Sequence, residues 1–136
     1  MTEISFCLND FFRIGGWTVE KHVQAHKRDV AWLNAREQPS RRVVILTHHS
    51  PTVDARTVTH GQQDLVGVRD GPERGGVLGG GGGNVVLWAF GHTHYNFGRF
   101  RDENTGKAVY SNQRGYHLAQ AAGFVEDDVV TLEGLV

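Results

Sequence analysis

The sequence predicts an α/β domain, layered around a mostly buried β-sheet with one long helix. Three observations carry that expectation. Val43 to Thr47 and Asn84 to Phe90 are apolar runs without regular polar alternation, the pattern of strands covered on both faces. Val19, Val23, His26, Val30 and Leu33 recur at spacings of four and three, marking one face of a helix that reaches to about Ala35. A helix before the first apolar run and another strand after it fit a layered sheet.

Size and charge narrow the class. The chain has 136 residues, 39% of them hydrophobic, which suits one small domain over 1–136 with a real core. A formal net charge of -1 gives no reason to expect nucleic acid or acidic membranes as general partners. Cys7 is the one cysteine, so no internal disulfide can form. That favours a reducing compartment, and a cytoplasmic location is expected. No stretch has the length of a membrane span, and the N-terminus lacks a basic segment followed by an apolar run.

In chain order, Ile4, Phe6 and Leu8 alternate with Ser5 and Cys7 as a short strand would. Asn9-Asp10 turns the chain. Phe11, Phe12, Ile14 and Trp17 then form core packing or a cover over the sheet or a ligand. Thr18 is placed to cap the long helix, with Glu20 in its first turn. His22 and His26 lie one turn apart, a spacing that metal ligands on a helix can use. No Glu follows His22, so the zinc-protease helix motif is absent, and both are read as structural or solvated. Arg41 and Arg42 read as surface charges flanking the strand from Val43.

Gln62 to Val68 has the makings of a short helix, and residues 69–83 read as a flexible, Gly-rich loop. The unbroken run Gly79 to Gly83 has no Gly-Lys-Ser/Thr ending and precedes a strand, unlike a phosphate loop. Asp54, His60 and Asp64 could each turn toward a site; spacing selects none of them. Asn96 to Arg101 and Lys107 to Ser111 read as paired strands joined by Asn104-Thr105-Gly106. Asn112 to Tyr116 then offers an amide, a guanidinium and a phenol, for an anion or for ordinary loop hydrogen bonds. Phe124-Val125 and Val129 to Leu132 suggest a final hairpin or two short strands.

The chemistry concentrates at two strand ends. His48-His49-Ser50-Pro51 follows Thr47, and Gly91-His92-Thr93-His94 follows Phe90. Without a Cβ, Gly91 can turn closely past a ligand. Imidazoles from the ends of two neighbouring strands suit a transition ion such as zinc, manganese or iron better than the oxygen-seeking calcium or magnesium.

These segments resemble the C-terminal half of the calcineurin-like metallophosphoesterases. The likeness rests on Thr47-His48-His49-Ser50-Pro51, on Gly91-His92-Thr93-His94 and on Ser111-Asn112-Gln113-Arg114-Gly115-Tyr116. Asn9-Asp10-Phe11-Phe12-Arg13-Ile14, with Trp32-Leu33 closing the helix, is similar to a segment of some members. The resemblance implies a layered α/β/β/α sandwich and hydrolysis of a phosphomonoester or phosphodiester. It implies manganese, iron or zinc as cofactor, with His48 and His92 on one metal and His94 on another. His49, Asn112, Arg114 and Tyr116 would then stand behind the metals or face a phosphate-containing substrate.

The departures weaken the implied activity. The family's Asp-x-His and Gly-Asn-His motifs do not occur anywhere in the chain. A truncated domain with one metal at most is expected, either slow as a hydrolase or inactive as a metal-binding or interaction module. Half a sandwich leaves apolar sheet surface uncovered, so a homodimer or higher homo-oligomer is expected as well.

Overall fold

The structure, a computed structural model, describes residues 10–35, 40–52, 54–57 and 84–133. The strand expected at Ile4 to Leu8, the helix at Gln62 to Val68 and the loop at 69–83 lie outside the described residues, as do His60 and Asp64. A short helix α1 (Asp10–Arg13) precedes the long helix α2 (Val19–Asn34). Strands β1 (Val43–Thr47), β2 (Val85–Phe90), β3 (Gly98–Arg101) and β4 (Ala108–Ser111) form a sheet in the order β1-β2-β4-β3. Two short strands, β5 (Gly115–Tyr116) and β6 (Ala119–Gln120), make a separate hairpin. This is a mixed α/β fold with a multi-stranded sheet and one longer helix. Among the described residues no helix is long and apolar enough to cross a membrane.

The helix begins where the sequence places it. Thr18 is extended, and its hydroxyl accepts from the Lys21 amide at 3.3 Å. That occupies one of the donors a helix start leaves unpaired. The predicted apolar stripe is only half used, because no residue of α2 is fully buried and Val23 is 40% exposed. Leu33 is the stripe member that packs against the main core cluster.

The apolar run from Val85 is the centre of the sheet. It pairs in parallel with β1 on one side and with β4 on the other. Trp88 is 1% exposed and Val109 0%, and with Ile45, Val85 and Phe90 they make the main cluster. Phe97 and Phe100 pack onto its rim, and Val86, Leu87 and Ala108 make a second cluster.

The first strand departs from expectation. Its apolar run implies cover on both faces, yet Leu46 is 76% exposed and Val44 39%. Among the described residues β1 is an edge strand, and little lies over that face. An apolar run records affinity for a core but not the number of neighbours. Its central sister β2 receives those neighbours and β1 does not.

The β3–β4 pairing matches the expected hairpin, Phe100 opposite Val109. Its turn closes through Asp102, whose carboxylate accepts from the Thr105 amide at 2.8 Å and hydroxyl at 2.7 Å. Among the described residues the segment from Phe124 to Leu132 forms no strand, contrary to expectation. It is instead tied down by side chains. Asn112 clamps the Val125 backbone with two bonds, and Tyr110 donates to Asp128 at 2.9 Å.

Candidate metal centre

The site is built by parallel pairing. Thr47 stands opposite Phe90 at the end of the β1–β2 register, so both strands finish at one level. The next residues, His48 and Gly91, remain joined by a 3.1 Å bond from the Gly91 amide to the His48 carbonyl. The two chains therefore turn side by side, and their first imidazoles meet.

His92 Nδ1 and His48 Nε2 are 3.0 Å apart. A tetrahedral shell with metal–nitrogen bonds of about 2.0–2.1 Å places neighbouring nitrogens roughly 3.3 Å apart. The pair already has ligand spacing. His49 completes a group in which one nitrogen from each of His48, His49 and His92 lies within 4.8 Å of the others. Ring centroids are 4.9 Å apart for His48–His49, 4.9 Å for His48–His92 and 4.5 Å for His49–His92. The donor set is all imidazole, which fits a borderline transition ion.

The core holds this group in place. Buried Trp88 donates its indole N–H to Thr47 Oγ1 at 2.9 Å, and Thr47 donates in turn to the His49 carbonyl at 2.7 Å. The best-buried residue of the central strand thus fixes the backbone of the histidine turn on its neighbour. Ser50 closes the same turn through the Thr52 carbonyl at 2.7 Å, above buried Pro51.

Backbone strain falls on the histidines rather than on the glycine. A Cβ on Gly91 would meet the His48 carbonyl at 3.7 Å, an ordinary contact. His92 and His94 instead have φ of 70° and 50°. Left-handed backbone is costly for side-chain-bearing residues and clusters at functional turns.

His94 goes elsewhere. Its ring lies edge-on to Tyr116 with centroids 4.4 Å apart, and it is not part of the three-histidine group. Its amide donates to Gln113 Oε1 at 2.8 Å. Buried Gln113 also donates to Thr93 Oγ1 at 2.9 Å and Ser111 Oγ at 2.7 Å, while Asn96 bonds both the Gln113 amide and its carbonyl. Sequence reasoning placed this stretch near a substrate and gave Gln113 no role of its own. Its one visible signal is an amide directly after a buried strand. Asn112 is committed to Val125, as described above. Arg114 and Tyr116 are exposed and line an open concavity with His117, Leu118 and Gln120.

Two other histidines and one carboxylate complete the placement. Asp54 is gripped by Arg56, with Nη2 to Oδ2 at 2.7 Å. That hydrogen bond holds its carboxyl below the usual range. His26 is half-buried and held below the ordinary imidazole value, by burial first and by His22 second. His22, read from spacing as structural, brings its ring edge-on to His49 at 6.3 Å. No family model, curated protein or solved structure matches the chain.

Proposed function

We propose that this chain is a metal-dependent phosphoric ester hydrolase of low power, centred on one transition ion held by His48, His49 and His92. The observation that supports a metal is the convergence of three imidazole nitrogens, within 4.8 Å, from the ends of two paired strands. The ester chemistry rests on the resemblance of the His48, His92 and Asn112–Tyr116 segments. When bound, such an ion supplies Lewis-acid polarisation of a phosphoryl oxygen and a lowered pKa for water. The protein's own residues position the reactants. Arg114 offers a fixed fork of donors suited to phosphate, and Tyr116 offers a hydroxyl in the same concavity. The Trp88–Thr47 bond keeps the ligand turn from moving with substrate.

A second reading, an inactive metal-binding or interaction module, is favoured by the donor set. Three neutral imidazoles do not offset a second cation, and His94 faces Tyr116 rather than the group. Elemental analysis paired with turnover of a generic phosphodiester in excess Mn²⁺ separates the two. The hydrolase reading expects one metal per chain and activity lost with it in His48→Ala and His92→Ala. Metal without turnover supports the inactive module. Metal content indifferent to both changes removes both readings.

A further inference from the structure

We infer that His22, in the first turn of α2, is the fourth ligand of the histidine centre, so that the ion is held by four imidazoles rather than three. This rests on the reading of His48, His49 and His92 as a metal site.

The geometry points there. Rings bound to one tetrahedral ion through bonds of about 2.0–2.1 Å have centroids roughly 5 Å apart. The three pairs within the group are at 4.5, 4.9 and 4.9 Å. His22 stands 6.3 Å from His49, edge-on at 82°, or about 1 Å beyond ligand spacing. His22 lies outside the group whose nitrogens are within 4.8 Å of one another, so coordination requires the ring to turn inward on its side-chain torsions.

Its surroundings restrict what the ring can do. Phe11 lies edge-on to it at 5.7 Å and Trp17 at 6.3 Å, so aromatic rings border His22 as well as His49. The backbone beneath it is fixed, because the His22 amide donates to the Thr18 carbonyl at 2.9 Å and Thr18 caps the helix. Lys21, its neighbour, is drawn off to the Gly16 carbonyl at 2.6 Å, which keeps that ammonium on another partner. The apolar cluster at Phe11 and Trp17, otherwise an unexplained cover, thereby acquires a role in orienting a ligand.

Four imidazoles change the chemistry of the centre. A fourth protein nitrogen fills the position that a catalytic ion keeps open and favours a tetrahedral ion such as zinc over ions that want six oxygens. Release of His22 would open that position to substrate.

The test uses the full chain with Zn²⁺ and Co²⁺ as probes, and folding is followed by far-ultraviolet dichroism. His22→Ala is expected to retain one ion per chain but to bind Zn²⁺ roughly 10- to 100-fold more weakly. Its Co²⁺ complex should show an altered visible spectrum, since water replaces an imidazole in the fourth position. His26→Ala, one turn on, should change neither. If His22→Ala does not fold, His22→Gln keeps the helix and gives the same two readouts. Unchanged affinity and spectrum in a folded His22 variant, with metal still lost in His48→Ala, overturn the inference and leave the three-histidine site standing. A wild-type chain that binds neither ion overturns both.

Discussion

Two neighbouring turns leave the same sheet and treat polar side chains in opposite ways. After β1 and β2, His48, His49 and His92 bring like groups together, each able to offer a lone pair to one point. After β4, Gln113 meets Asn96 of the β2–β3 connection, and the two bring unlike groups together. The Gln113 carbonyl oxygen faces the His94 amide, and its NH₂ faces the oxygens of Thr93, Tyr95 and Ser111. Complementary groups satisfy one another and need nothing further. Converging imidazoles, with His48 and His92 already in contact at 3.0 Å, also have the capacity to share a cation. The contrast separates a polar cluster closed on itself from one that could take up an ion.

The contrast breaks first if the amide clamp proves dispensable. Gln113→Ala removes the partner of the His94 amide and the NH₂ donor to the hydroxyls of Thr93 and Ser111. The expected cost is about 3 kcal/mol, read from urea unfolding. A loss under about 1 kcal/mol would mean that water replaces Gln113 freely and that the cluster is not structural.

Glycine substitutions sharpen the same comparison. A Cβ on Gly115, where φ is 84°, would sit 2.7 Å from the Ala121 amide nitrogen and 2.9 Å from the Ala119 carbonyl. Gly115→Ala should cost about 2 kcal/mol. Gly91→Ala beside the histidines meets only ordinary contacts and should cost less than about 1 kcal/mol. Equal thermal shifts for the two would contradict this geometry.

The smallest effect concerns protons. Burial holds the folded-state value of His26 below its ordinary 6.5, with the nearby charge of His22 adding to it and Asp29 opposing. The unfolded chain therefore binds a proton first as the pH falls. His26 contributes stability that is present above the ordinary value and lost as pH falls from there through the lowered folded value. Urea midpoints should drop as the pH falls below the ordinary value of 6.5, and His26→Gln should flatten that drop. An identical slope in the variant would assign the dependence to other groups.

Much of the architecture was legible because it is local. The Thr18 cap, the helix to Asn34, the apolar strands and the Asn104-Thr105-Gly106 turn each follow from a few adjacent residues. The meeting of His48 with His92 was legible as well, since strands of a parallel pair end together. What was not legible depends on neighbours distant in sequence. Whether Leu46 is covered depends on what lies over β1. Whether His22 approaches His49, 27 residues later, depends on where α2 lies relative to the end of β1, a relation no spacing within the helix encodes. The β5–β6 hairpin escaped notice because two residues per strand leave no alternation to read.

The left-handed backbone at His92 sets the proposed chemistry against durability. Such a residue costs on the order of 1–2 kcal/mol relative to glycine in the same conformation. A glycine there would make the chain sturdier while deleting an imidazole of the three-histidine group. The turn is therefore a place where selection for stability alone and selection for metal affinity would choose different residues. In a library screened only for heat resistance, His92 would be among the first residues to go.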